Sequence, residues 1–134
     1  MYSIQLVIPG KPTGKGRPRL GKYKTYTPAK TVNYETLVKL TFIDKYKNFK
    51  PFEGAVKAKI TAVFSIPKSF SKKKKEEALL KRYYTHKPDA DNITKIILDS
   101  LNGLAYKDDS QVAALEVYKM YGEQEKVIVE LEEI

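Results

Sequence analysis

Polar and apolar residues alternate at both ends of the chain and recur at helical spacing in its middle. Tyr2, Ile4, Leu6 and Ile8 alternate with Ser3, Gln5 and Val7, the period of a strand with one buried face. A Gly-, Pro- and Lys/Arg-rich stretch, 9–28, reads as a basic loop. From Ala29 to about Lys47, Tyr34, Leu37, Val38, Thr41 and Phe42 fall on one helical stripe, and Pro51 closes the segment. The clearest strand sets Val56, Ala58, Ile60, Ala62, Phe64 and Ile66 against Lys57, Lys59, Thr61 and Ser65. Ser69 or Ser71 can cap a short charged helix from about Lys72 to Arg82. A main helix is predicted from about Asp91 to Leu104. At about 100° per residue, Ile93, Ile96, Ile97, Leu101 and Leu104 share an apolar arc opposite Asp91, Lys95, Asp99 and Asn102. Val112 to Tyr121 and Lys126 to Glu133 are strand-like and flank Gly122-Glu-Gln-Glu125, which predicts a C-terminal hairpin over 111–133. The order β-α-β-(α)-α-β-β predicts an α+β, two-layer fold with helices on a face of one mixed sheet.

At 134 residues the chain is expected to form a single domain, 1–134, with its own core. It has no cysteine, which excludes thiol nucleophiles, disulfides and Cys-based zinc sites. His86 is its one histidine and is read as non-catalytic. No apolar run approaches the roughly 20 residues that span a bilayer, and the run from Ile4 to Ile8 lacks a basic leader. A cytoplasmic protein without membrane partners is expected.

Charge separates the two halves. Residues 1–50 hold 11 Lys/Arg and 2 acids, and residues 51–134 hold 14 of each, so the net charge of +9 resides in the first 50 residues. Within the balanced part, Asp89 and Asp91, then Asp108 and Asp109, form two tight pairs in an acidic segment, 87–110. A basic lobe beside clustered carboxylates suits a nucleic-acid enzyme: cations displace counterions from phosphates while carboxylates hold a metal. Pro88 biases Lys87 toward extended backbone; if that extension continues through Ala90, Asp89 and Asp91 project to one side. A hard cation such as Mg²⁺ takes a few carboxylates and completes its shell with water and phosphate. Asp89, Asp91 and one of Asp108 and Asp109 meet that need. Lys95, one turn beyond Asp91, can stabilise charge on a phosphate, whereas Asp99 fits an i, i+4 ion ladder with Lys95.

The runs Pro88-Asp-Ala-Asp-Asn-Ile-Thr-Lys95, Leu98-Asp-Ser-Leu-Asn-Gly103 and Asp108-Asp-Ser-Gln-Val112, with Lys119, Pro9-Gly-Lys-Pro12, Gly16-Arg-Pro-Arg19 and Ile66-Pro-Lys-Ser-Phe70, resemble the RusA family of Holliday-junction resolvases over most of the chain. The resemblance implies a homodimeric, Mg²⁺-dependent endodeoxyribonuclease, with Mn²⁺ as a substitute and no small-molecule cofactor. It would bind four-way junction DNA and make paired nicks near the crossover, in recombination and repair. The family's essential acids, which are also the metal ligands, fall on Asp89, Asp91 and Asp109, and its essential lysine on Lys95; Asp108 and Asn92 are secondary candidates. Lys15, Arg17, Arg19, Lys22, Lys24 and Lys119 are the expected DNA contacts. Two alternatives remain open at this level: a non-catalytic junction-binding module, and a metal-dependent nuclease for other branched DNA.

Overall fold

The computed structural model describes residues 3–134. Its main sheet holds four strands: β1 (Ser3–Pro9), β4 (Val56–Phe64), β5 (Val112–Tyr121) and β6 (Lys126–Glu133), with β2 (Arg19–Leu20) and β3 (Thr25–Tyr26) forming a separate two-stranded ribbon. The helices are α1 (Ala29–Lys45), α2 (Lys72–Lys81) and α3 (Ala90–Ser100). Strand order is β1-β6-β4-β5; β6 is antiparallel to β1 and β4, and β4 is parallel to β5. The sheet is therefore mixed, as expected. Among the described residues no helix is long and apolar enough to cross a membrane.

Alternation dictates the packing. Register aligns Leu6, Val129, Ile60 and Val117 in one row, and Ile4, Leu131, Ala58 and Leu115 in the next. These side chains share one face, and the members on β1, β6 and β4 are buried. α1 and α3 pack together, α1 against β1 and α3 against β5. From α1 come the buried Tyr34, Val38 and Phe42; from α3 come Ile93, Ile96, Ile97 and Leu98. Each fully buried aliphatic side chain contributes about 1.5–3 kcal/mol, so the stripe on α3 far outweighs any ion pair on its outer face. Tyr2, expected in the first strand, lies outside the described residues.

Two expectations are corrected. β5 and β6 are consecutive but do not pair, so 111–133 is not a hairpin: β4 lies between them. The strand richest in buried apolar side chains takes the position with two neighbours, and the short loop arches over its end. There Gly122 N–H donates to the Phe64 carbonyl at 2.9 Å. A Cβ on Gly122 would lie 2.5 Å from Val63 Cγ1, so only glycine permits this crossing. The second correction concerns the main helix, which starts at Ala90 and ends at Ser100. Leu101 to Tyr106 form a turn in which Leu104 N–H and Ala105 N–H both donate to the Leu101 carbonyl, so Leu104 packs from the turn and not from the helix. The basic loop also contains structure that its composition concealed, the β2–β3 ribbon, whose turn closes through Gly21 N–H to the Lys24 carbonyl at 2.8 Å.

Candidate active site

The approach to α3 is pinned before the acids begin. Tyr84 stacks flat on Phe64, with centroids 3.7 Å apart, and its hydroxyl donates to the Lys87 carbonyl at 2.8 Å. Lys119 lies in the sheet row of Ala62, on the helix-bearing face, and its Nζ donates to the His86 carbonyl at 2.6 Å. His86 packs edge-on against Tyr84. Lys119, expected to meet DNA, is thus engaged in fixing this segment.

Asp89 is the N-cap of α3 with extended backbone, but its side chain makes no capping hydrogen bond. The extension stops there. The Asp89 carbonyl accepts from Ile93 N–H at 3.1 Å, so Ala90 is already helical and Asp89 and Asp91 are cap and first-turn residues, not alternate residues of a strand. Asp91 is exposed and sits where the helix dipole favours an anion. Neither carboxylate has an ion pair or side-chain hydrogen bond among the described residues. Lys95 is exposed and likewise unpaired among them, so the ion ladder expected between Lys95 and Asp99 does not form.

The second pair divides into a cap and a carboxyl that faces Asp99. The turn 101–106 is locked by buried Tyr106, whose hydroxyl donates to the Leu98 carbonyl at 2.6 Å. Asp108 then caps a 3₁₀ turn, Asp109–Gln111, accepting from Ser110 N–H at 3.1 Å, while Gln111 Oε1 accepts from the Lys107 and Asp108 amides. Hydrogen bonds from Ser110 hold Asp108 below the ordinary carboxylate pKa. Asp109 is instead half-buried and faces Asp99. Partial burial raises its pKa first, followed by the neighbouring Asp99 carboxyl and the charge of Asp108.

Asp99 reaches the basic loop. Lys15 Nζ lies 2.7 Å from Glu35 Oε2 and 3.4 Å from Asp99 Oδ2. Partial burial works to lower the Lys15 pKa, but the hydrogen bonds and charges of Glu35 and then Asp99 outweigh it and hold the ammonium above the usual lysine value. The same residue's amide donates to the Asn92 carbonyl at 2.9 Å, and Gly16 N–H donates to Thr31 Oγ1 at 3.0 Å. The loop therefore lies across α1 and α3. It was expected to offer Lys15 to phosphate; the ammonium is committed to two carboxylates.

Between loop, α1 and α3 opens a groove of about 800 Å³. Its cations are Lys11, Lys15, Arg17, Arg19, Lys30 and Lys87, and its one acid is Asp89. Asn92 also lines it, while Lys22 and Lys24 stand exposed at the tip of the β2–β3 ribbon. Sequence reasoning missed Lys11, Lys30 and Lys87 as groove residues, and Glu35 and Asp99 as partners of the site. The run of lysines was visible; the meeting of α1 with the loop was not. Among the described residues no three His, Asp or Glu side chains converge as a ready-made metal cage. The donor chemistry nevertheless fits a hard cation: the groups are all carboxylates, those of Asp89 and Asp91 are uncommitted, and Asp99 and Asp109 are neighbours.

The groove is lined by cations and ends at the uncommitted carboxylate of Asp89. Residues 9–132 match the family described as "Endodeoxyribonuclease RusA"; the chain belongs to that family. It is also 38% identical over 143 residues to "Uncharacterized protein YqaN" of Bacillus subtilis (strain 168), the match covering 100% of this chain and 99% of the relative.

Proposed function

We propose that this chain is a Mg²⁺-dependent endonuclease that resolves four-way DNA junctions as a homodimer, cutting two strands near the crossover. The observation that carries this reading is the groove: six cations and a single acid, Asp89, at the N-terminus of the helix that also bears Asp91, Lys95 and Asp99. Phosphates gain free energy along such a surface by releasing counterions, while neutral or cationic substrates do not.

In this reading Asp89, Asp91 and Asp109 are the carboxylates that would hold a divalent cation, the first two at the N-terminus of α3 and the third beside Asp99 at its other end. When bound, the ion supplies positive charge that polarises the phosphoryl oxygen and acidifies the attacking water. Arg17, Arg19, Lys22, Lys24, Lys30 and Lys87 bind and orient the backbone of the DNA. Lys95 brings an unpaired ammonium to the negative charge that builds on the phosphate and leaving 3′ oxygen. Asp108 stays outside the chemistry as the cap that aims Asp109. A dimer matches the twofold character of a junction, one site for each nicked strand. Residues 1–134 act as one domain.

The test is purified protein with Mg²⁺ and a synthetic four-way junction, beside linear duplex, fork and flap. Paired nicks in the junction, with 5′ phosphate ends and loss of cutting in Asp91→Asn, are expected. Junction binding without cutting would reduce the chain to a recognition module. Equal cutting of flaps would make it a general branched-DNA nuclease.

A further inference from the structure

The end of α3 concentrates negative charge. Asp99 stands in its last turn, where the helix dipole disfavours an anion and no basic residue of the helix compensates. Asp109 lies beside it, and Asp108 is adjacent. The cation that answers this charge comes from elsewhere in the chain: Lys15, from the basic loop, is held at 2.7 Å by Glu35 of α1 and reaches Asp99 at 3.4 Å. Its own amide is fixed on Asn92, seven residues earlier on α3, by a 2.9 Å bond. Seven residues of helix are about 10 Å, so backbone and ammonium of one lysine brace two turns of the helix that carries the acids.

Resting on the nuclease reading above, we propose that Lys15 is a positioning residue for the reaction: anchored by Glu35, it fixes Asp99 and through it Asp109, so that seating of the basic loop orders the acids. A lysine serving as a phosphate contact would be expected to face the DNA unpaired. Lys15 is instead paired on both sides, and only about a quarter of its side chain is exposed (27%). Loop and acids then act as a unit. DNA that presses the loop onto α1 and α3 reinforces the order of the acids, and a loop pulled away releases Asp99.

The two roles give opposite results in Glu35→Gln. If Lys15 positions the acids, losing its anchor lowers turnover and leaves junction affinity unchanged. If Lys15 is a phosphate contact, the same change frees the ammonium, removes a negative charge and tightens binding. The experiment compares wild type, Lys15→Ala, Lys15→Arg, Glu35→Gln and Arg17→Ala for salt dependence of junction binding without divalent ion, single-turnover cleavage in Mg²⁺ at saturating protein, and melting temperature. For Lys15→Ala a loss of about 10–100-fold in cleavage at saturation is expected, the usual effect of removing a partner behind a metal-ligating group. Its salt slope should match wild type, while Arg17→Ala should flatten it by about one counterion. Lys15→Arg should recover most of the rate. Should Lys15→Ala unfold, Glu35→Gln and Lys15→Arg decide the matter alone. Full turnover at saturation in Lys15→Ala, or tighter binding with unchanged turnover in Glu35→Gln, overturns the proposal. A wild-type protein that binds junctions without cutting them overturns the nuclease reading itself, a separate outcome.

Discussion

Gly14→Ala tests whether the basic loop is truly seated on the acidic segment. An alanine Cβ at this position would lie 2.8 Å from Pro88 Cβ and 3.2 Å from Asn92 Cβ. Both are carbons fixed directly to the backbone, so no rotamer change relieves the overlap. Ordinary carbon contact begins near 3.5–4.0 Å, and the loop must withdraw by about 1 Å. The 2.9 Å bond from Lys15 N–H to the Asn92 carbonyl cannot survive that shift, at a cost of about 0.5–1.5 kcal/mol. The 3.4 Å pair of Lys15 with Asp99 opens as well; being partly exposed, it adds under about 1 kcal/mol. Together these give about 1–2 kcal/mol, or a melting temperature lower by about 4–10 °C for a chain of this size. Gly10→Ala is the control. Nothing lies within 4 Å of a Cβ there, and only the φ of +93° opposes substitution, which costs about 1–2 kcal/mol through backbone strain. Calorimetry should show both variants destabilised, and cleavage at saturating protein should fall in Gly14→Ala alone. A Gly14→Ala protein that melts and cuts like wild type would falsify the docked loop.

Three further outcomes follow from the site's geometry. Because the folded Asp109 carboxyl holds its proton more tightly than the unfolded one, its contribution to stability without divalent ions is full at low pH and declines as pH rises above the ordinary value of 3.8. The difference in melting temperature between wild type and Asp109→Asn in chelator should slope accordingly, and a flat difference would exclude the inward-facing carboxyl. Tyr106→Phe leaves the Leu98 carbonyl without its 2.6 Å donor; a loss of about 1–3 kcal/mol in denaturant unfolding is expected, and no loss would mean that the turn is held by other bonds. Lys95→Ala should abolish most cleavage while shifting stability by well under about 1 kcal/mol, against about 2–5 kcal/mol for Ile97→Ala on the opposite, buried face of the helix; equal destabilisation would give Lys95 a structural role.

Period told most about this molecule where one face of an element is buried. Ile4, Leu6 and Ile8, the even residues of β4, and the apolar arc of α3 were legible because burial repeats every 2 or 3.6 residues. Which strand neighbours which was not. A four-residue connection suggests a hairpin, yet β4, with both edges in need of partners, separates β5 from β6. At the candidate site, residue types and spacing pointed to Asp89, Asp91, Lys95 and one of Asp108 and Asp109, and the family resemblance to Asp109; the division of labour between those two depends on Gln111 bonding back to the amides before it. Nor could spacing reveal Lys15 with Glu35 and Asp99. Those residues are 20 and 84 positions from Lys15, and their meeting depends on how α1 packs on α3.

The seat of β6 between β1 and β4 bears on when the candidate site is assembled. Of the described strands the latest in sequence, β6, is an interior one, and the earlier β1 has no hydrogen-bonded neighbour in the sheet until β6 joins it. Every residue proposed to grip or cut DNA has been synthesised by then, but the sheet beneath α1 and α3 is still missing its middle. A nascent or prematurely terminated chain lacking Lys126–Glu133 therefore carries the cations and carboxylates without a platform to align them. On the nuclease reading, the site would be assembled in one late step, with closure of the long-range β1–β6 pairing.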